Sequence, residues 1–294
     1  MIPPELMDQL RYIEIRTQRA AREYRVGEYR SPVRGYGFEF EQHKRYQYGD
    51  DYRQIDWNVT ARMNHPYVKK DFDEKELTAI IMADLSPSME FATVAQSKRE
   101  MLVQIAAVLA FSASCDNMNV GLLAFTERIE VDFAPKKGRA QIWKILESLW
   151  DVKPKGSKTD FSRPFEHLMA HLKRSALLFC ISDFITSEDI FASHSFKELV
   201  YRHDFVPLII LDKWDEALPE GKGFIRLRDA EADEEMLFKL SGRNIGLYER
   251  LMRERKVSLQ RSLYHLNLDH LFLKVGEPFV SSILDFSLAR RRQH

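Results

Sequence analysis

Short apolar runs separated by amphipathic segments make up the chain from residue 77 to its end. The runs are rich in β-branched residues and stop at glycine, proline or polar residues, which is typical of buried strands. The segments between them place apolar residues three and four positions apart, as a helix that packs on a sheet does. Strands are predicted at 77–84, 119–126, 129–133, 176–182, 205–211 and 269–274, and helices at 97–114, 138–151, 162–173, 196–203, 245–263 and 278–291.

The alternation of strands with helices predicts an α/β fold with a doubly wound, mostly parallel sheet and helices on both faces. The run 129–133 alternates polar and apolar residues, so we expect it to pair as a hairpin at the edge of the sheet. A second hairpin is expected from the runs 224–227 and 236–240, which interrupt the alternation.

The N-terminal part follows a different pattern. Residues 5–25 carry apolar residues at helical spacing among several arginines, which predicts an amphipathic helix with a basic face. Alternation over 38–46 predicts a strand, and Gly49-Asp50-Asp51 predicts a turn. We therefore divide the chain into a helix and β-rich extension at residues 1–74 and an α/β domain at residues 75–294.

Composition narrows the classes of protein that fit. Lysine and arginine together number 44, and aspartate and glutamate also number 44. This balance argues against nucleic acid or a membrane surface as the partner, because such proteins carry a basic excess. No signal peptide is visible, and no window reaches the roughly 18 apolar residues of a membrane helix. Cys180 lies in an apolar run far from the only other cysteine, so we expect a cytoplasmic protein without a membrane span.

Three oxygen-bearing side chains follow the strand 77–84 at alternate positions. They are Asp84, Ser86 and Ser88. Ligands of open α/β sheets bind outside the carboxyl ends of the strands, and the fold would bring Thr159 and Asp183 to that same edge. Carboxylate and hydroxyl oxygens suit a hard cation, Mg²⁺ first, with Mn²⁺ or Ca²⁺ behind it. The sequence therefore predicts a metal site formed by these five residues.

The same motifs resemble the von Willebrand factor A domain. The five residues match its metal-ion-dependent adhesion site, where the serines and threonine ligate directly and the two aspartates act largely through water. The resemblance covers the chain from about Glu76 onward and implies a Rossmann-like fold and a non-catalytic role in protein binding. An acidic side chain of the partner would then complete the metal shell. The residues beside the site that we expect to contact this partner are Pro87, Met89, Lys158, Asp160 and Phe184.

A second motif precedes that region and resembles the bacterial domain of unknown function family 58. It comprises Arg45-Tyr46, Gly49-Asp50-Asp51, Arg53-Gln54-Ile55-Asp56-Trp57 and Thr60-Ala61-Arg62. Members pair it with a von Willebrand A-like domain, and many are encoded beside MoxR-type AAA+ ATPases. Many members carry N-terminal membrane helices, which we do not expect in this protein. The resemblance implies an adaptor or co-chaperone of a MoxR-type AAA+ ATPase that acts on client proteins during protein-complex assembly.

Two other functions stay open. A magnesium-dependent hydrolase of phosphate esters would use Asp84 as its nucleophile, but Ser86 stands where phosphatases of the haloacid dehalogenase type need a second aspartate. A scaffold would bind nucleic acid or acidic protein through the basic helices 5–25 and 245–263. Arginines and aromatic residues of 27–62 fit a partly buried network of ion pairs and stacked rings, although the same residue types bind RNA. We expect no enzymatic activity.

Overall fold

The computed structural model describes residues 2–28, 43–48, 55–63, 65–69, 77–186, 190–219, 223–228 and 235–293, together with the single residues 50, 52 and 221. Its strands are β1 (His43–Arg45), β2 (Tyr67–Lys69), β3 (Thr78–Asp84), β4 (Asn119–Phe125), β5 (Ile129–Lys136), β6 (Leu177–Ser182), β7 (Asp204–Leu211), β8 (Gly223–Arg228), β9 (Glu235–Leu240) and β10 (Leu271–Lys274). Its helices are α1 (Pro4–Glu28), α2 (Trp57–Met63), α3 (Lys98–Cys115), α4 (Arg139–Asp151), α5 (Ser162–His171), α6 (His194–Arg202), α7 (Gly242–His265) and α8 (Val280–Gln293).

Among the described residues, a six-stranded sheet runs in the order β10-β7-β6-β3-β4-β5. All its strands are parallel except β5, which pairs antiparallel with β4 at the edge as expected. The strand order reverses between β3 and β6, and such a reversal opens a crevice at the carboxyl ends of the two strands. The prediction of a mostly parallel α/β sheet is confirmed, and the strand order is consistent with double winding.

The sheet buries an apolar core on each face. Successive residues of β3 alternate between the two cores: Ile81 joins the one under α1, α3, α4 and α8, and Met82 joins the one under α5 and α6. Strands covered on both faces have no polar side, which explains why they appear in the sequence as continuous apolar runs. The expected helices on both faces are confirmed.

Helix α3 is the central helix of the first core, and its position explains its composition. Almost every residue from Met101 to Phe111 is buried, so the helix has no solvent-facing polar stripe. A capping box fixes its first turn, because Ser97 accepts from the Glu100 amide and Glu100 accepts from the Ser97 amide, both at 3.1 Å. Lys98 begins this helix and is 1% exposed.

Helix α1 packs on α3 and belongs to the same core. Leu10 is fully buried between them. The Gln104 amide group donates to Gln9 Oε1 at 2.5 Å. The guanidinium of Arg139 donates to both carboxylate oxygens of Glu14 at 2.6 and 2.8 Å. The N-terminal helix is therefore held to the α/β sheet layer by both packing and polar contacts.

The remainder of the N-terminal part contains the antiparallel pair β1–β2 and the short helix α2. Residues 38–42 of the predicted strand, and most of the predicted turn at 49–51, lie outside the described residues. Trp57 is 70% exposed, which corrects the expected partly buried network at that residue, because α2 buries none of its residues. The boundary at residues 74 and 75 also lies outside the described ranges, so the division into domains stays a prediction.

Helix α7 follows the predicted hairpin β8–β9 and is long and mostly exposed. Leu263 is its one buried residue, while Leu247 and Leu251 are more than half exposed. Its charged residues are spread along its length. Like every other helix in the described ranges, it is not apolar enough over a sufficient length to cross a bilayer.

Replacing Leu10 with alanine tests whether α1 is part of the core. We expect Leu10→Ala to lower the free energy of unfolding by about 2–5 kcal/mol, because it leaves a cavity against α3. Ile15→Ala on the same helix is the matched control, since Ile15 is 64% exposed and should change stability by less than about 0.5 kcal/mol. Urea denaturation measures both values, and equal effects would contradict this packing.

Candidate metal centre

The carboxylate of Asp84 ends β3 and is fully buried. Its Oδ1 accepts a hydrogen bond from the Ser86 amide at 2.9 Å, and its Oδ2 accepts one from the Ser182 hydroxyl at 2.5 Å. The first bond turns the chain out of the strand, and Pro87 then begins a short 3-10 helix that ends at Glu90. The local sequence thus holds Asp84 at the strand end.

Two hydroxyl groups lie beside this carboxylate. Ser86 is fully buried and Ser88 is 8% exposed, and their Oγ atoms are 3.1 Å apart. Ser86 is the N-cap residue of the 3-10 helix and Ser88 lies in its first turn, so the same short turn carries both hydroxyls. The local motif therefore places three oxygen-bearing side chains together, as the sequence predicts.

Asp183 is brought to the same place by the strand order. It follows β6, which lies next to β3, and Ser182 connects the two strand ends through its bond to Asp84. Asp183 Oδ1 accepts from the Ile185 amide at 3.0 Å, and its Oδ2 accepts from the Lys98 ammonium at 2.8 Å. The structure thus joins Asp183 to the strand end that carries Asp84.

The surroundings of Asp84 change the pKa of its carboxyl group. Burial is the largest cause and the negative charge of Asp183 the second, and together they raise the pKa of Asp84 from 3.8 to about 7. Hydrogen bonds from Ser182 and Ser86 lower it, but by less. The negative charge of the Asp84 carboxylate is therefore poorly compensated in the folded protein.

Thr159 is buried in the loop between α4 and α5. Backbone amides of residues 155 and 156 donate to the Glu130 carboxylate, and those of residues 157 and 158 donate to Glu127, so the hairpin of β4 and β5 holds the loop. A side chain at Gly156 would collide with Thr126 and Glu127, which explains the glycine. Phe161, two residues after Thr159, stacks on Phe184 with ring centroids 5.4 Å apart. The loop therefore lies beside the end of β6.

The residues expected to contact a partner divide into two groups. Lys158 is exposed, and Pro87 and Asp160 are partly exposed. Asp160 also accepts from the Ser162 amide at 2.7 Å at the start of α5. Met89 is fully buried and Phe184 is 5% exposed. The side chain of Met89 packs in the core on one face of the sheet, and that of Phe184 packs in the core on the other face. In this conformation their role is packing, which corrects the expected surface role.

Sequence reasoning missed a set of charged residues behind the site. The Lys98 ammonium lies 2.8 Å from Asp183 Oδ2 and 2.8 Å from Asp215 Oδ2. Asp212, which follows β7, accepts from both the amide and the hydroxyl of Thr93 at 3.2 and 2.6 Å. The sequence offers only a weak signal for them: Lys98 lies in the first turn of a helix that is apolar further on, and Asp212 and Asp215 follow a strand end.

The donor set fits a hard cation. Two carboxylates and the neighbouring hydroxyls offer only oxygen, which Mg²⁺, Mn²⁺ and Ca²⁺ prefer. The buried, charge-deficient carboxylate of Asp84 is the feature that favours a cation most directly. Within the described ranges, no three histidine, cysteine, aspartate or glutamate side chains converge on one point. A metal bound here would depend on serine and threonine hydroxyls for much of its protein shell.

A half-open cavity of about 440 Å³ adjoins the centre. Asp183 and Asp215 contribute to its wall, and α7 covers it from the other side with Arg253 and Arg255. Leu211 and Phe272, among other apolar residues, line the remainder. Arg255 also donates to the Phe184 carbonyl at 2.9 Å, which ties α7 to the loop after β6.

Comparison with known proteins gives one family and several relatives. The model of a family described as "Protein of unknown function DUF58" matches residues 42–257. Uncharacterized proteins of Mycobacterium tuberculosis and Mycobacterium bovis are each 26% identical to the chain, over 98% of its length and 91% of theirs.

Two solved structures align with part of the chain. The conserved hypothetical protein BatB from Bacteroides thetaiotaomicron aligns with a TM-score of 0.48 at 14% identity. An aerotolerance-related membrane protein from Bacteroides fragilis aligns with a TM-score of 0.49, also at 14% identity. Each alignment covers 74% of this chain and 100% of the other.

The raised pKa of Asp84 makes stability depend on pH. The folded state binds the Asp84 proton more tightly than the unfolded state does, so this contribution to stability is fully present below pH 3.8 and is lost as the pH rises through about 7. In a chelating buffer between pH 6 and 8, we expect wild type to lose about 1 kcal/mol more than Asp84→Asn. Urea denaturation at each pH measures this, with Asp8→Asn, at an exposed position of α1, as a control that should follow wild type. Parallel profiles for wild type and Asp84→Asn would refute it.

Proposed function

This chain belongs to the DUF58 family of proteins of unknown function, and we propose that it is a non-catalytic, metal-dependent protein-binding module. The metal proposed is Mg²⁺, with Mn²⁺ or Ca²⁺ as alternatives. The single observation that carries the proposal is the buried Asp84 carboxylate, which lies beside the Ser86 and Ser88 hydroxyls and within the field of Asp183.

Each residue of the centre has a proposed role. Asp84 and Asp183 would hold the cation at the strand ends, while Ser86, Ser88 and Thr159 would supply neutral oxygen ligands. A bound divalent ion with few charged ligands would supply an electropositive position for an acidic side chain of the partner. Burial of the centre strengthens such a charge-assisted contact, because the local dielectric constant is lower than that of water.

The rim of the centre supports a binding role. Lys158 is exposed in the loop that carries Thr159, so it can meet the acidic group of a partner as it approaches. The adjoining cavity shares Asp183 with the centre and has apolar residues such as Leu211 in its wall. A partner segment could therefore place an acidic residue at the metal and a neighbouring apolar side chain in the cavity.

The partner we propose is a MoxR-type AAA+ ATPase, for which this protein would act as an adaptor or co-chaperone towards client proteins. The proposal of this partner rests on the resemblance of the two sequence motifs. An acidic residue of the ATPase or of a client would complete the metal shell. In this role the chain contributes recognition and the ATPase contributes the energy for assembly.

Metal binding should be visible as stabilisation of the folded protein. At 100 times the dissociation constant, Mg²⁺ should raise the free energy of unfolding of wild type by about 2.7 kcal/mol, because the metal binds only the folded state. Asp84→Asn and Ser88→Ala should lose most of this gain, whereas Ser175→Ala, at an exposed serine, should retain it. Thermal unfolding with and without EDTA measures the gain. Equal gains in all four proteins would mean that the ion acts elsewhere.

Capture of the ATPase should depend on the same residues. Immobilised wild-type protein should retain the purified MoxR-type ATPase of the same genome in Mg²⁺ and release it in EDTA. Asp84→Asn, checked by circular dichroism for an intact fold, should reduce retention about tenfold or more. If the folded variant retained the ATPase as well as wild type does, the metal would not be part of the interface.

A further inference from the structure

Lys98 is a buried cation that contacts the candidate metal centre directly. It is 1% exposed, and its ammonium lies 2.8 Å from one carboxylate oxygen of Asp183 and 2.8 Å from one of Asp215. The capping box of Ser97 and Glu100 fixes the turn from which its side chain extends. This rigid start of α3 keeps the ammonium at the centre.

The ammonium is positioned as the shared partner of two carboxylates. It is almost completely buried and lies within ion-pair distance of both Asp183 and Asp215. Asp215 is itself held in place, because its Oδ2 also accepts from the Asp212 amide at 2.7 Å. The three side chains form a buried unit in which one cation is shared between two carboxylates.

The carboxylate of Asp183, which a metal would need, is already bound within this unit. Asp183 Oδ2 is bonded to Lys98, and Asp183 Oδ1 is bonded to the Ile185 amide. The negative charge of Asp183 is already balanced by the Lys98 ammonium. A divalent ion held near Asp183 would also be repelled by that ammonium at short range. Lysine and metal therefore compete for the same negative charge.

We propose that Lys98 is an internal competitor of the metal: its ammonium compensates Asp183 when no ion is bound, and it thereby weakens the affinity of the centre for divalent cations. This inference rests on the proposed function, because it assumes that the centre takes a metal. Asp215 has the opposite role in this proposal. It shares the Lys98 ammonium, so the negative charge of Asp183 is compensated less completely and metal binding is favoured.

The two residues can be separated by substitutions with opposite expected signs. Lys98→Met keeps most of the length of the unbranched side chain and removes its charge, so Mg²⁺ and Mn²⁺ should bind about tenfold or more tightly, while the melting temperature in EDTA should fall. Asp215→Asn leaves the ammonium to Asp183 alone, so both ions should bind several-fold more weakly. Isothermal titration calorimetry with each metal chloride measures affinity, and thermal unfolding in EDTA measures stability.

Lys197→Met is the matched control, because Lys197 is exposed on α6. It should change neither the dissociation constant nor the melting temperature in EDTA. A purely structural role for Lys98 would lower the melting temperature of Lys98→Met in EDTA and leave its dissociation constant for the metal unchanged, and that result would overturn the proposal. If Lys98→Met did not fold, Asp215→Asn would decide the matter, since unchanged or tighter binding by that variant contradicts the competition.

The failure of this inference can be told apart from failure of the proposed function. Binding by wild type with no gain in Lys98→Met would overturn the competitor role and leave the metal-dependent module standing. Binding by Lys98→Met but not by wild type would support the competitor role and overturn metal dependence of the natural protein. No binding by either protein would overturn both.

Discussion

The structure depends on how two carboxylates can be buried at one edge of a parallel sheet. Asp84 ends β3 and Asp183 follows β6, and the parallel pairing of these two strands brings the two residues to the same edge of the sheet. Each must be compensated, since an unpaired buried charge costs several kcal/mol. Asp84 is compensated by hydrogen bonds and a raised pKa, and Asp183 by the ammonium of Lys98. Burial of the two carboxylates is thus electrostatically unfavourable, and a bound divalent cation would stabilise it.

The surrounding fold holds the charged groups of the centre in fixed positions. Helix α3 is buried on nearly all sides, and α1 covers it from outside, so Lys98 extends from an element that cannot shift easily. The loop of Thr159 is held by Glu127 and Glu130 across the hairpin of β4 and β5. Rigid positioning would matter for the proposed metal site, because a binding site must be held close to its productive geometry. Apolar packing far from the centre therefore supports its chemistry.

The DUF58 family is one of unknown function, and the proposed metal-dependent binding role rests on the chemistry of the centre. If the proposed hydroxyl ligands and the proposed competition by Lys98 hold, the centre would suit reversible recognition, because the metal would be bound loosely enough to respond to a partner. The cavity beside Asp183 adds an apolar wall to a charged centre, which is the usual composition of a selective binding site. Recognition by charge and by shape would then occur at one strand edge.

The sequence by itself determined the α/β sheet, its antiparallel edge and the local cluster of Asp84, Ser86 and Ser88, because periodicity and short-range spacing encode them. Only the tertiary structure decided that Lys98 meets Asp183, 85 positions away, and that Met89 and Phe184 are buried. Such pairs depend on which strands become neighbours and on how helices cover them, and no local pattern specifies that. The sequence predicts a metal site at the strand end, but the lysine that we propose as a competitor of the metal is brought there only by the fold.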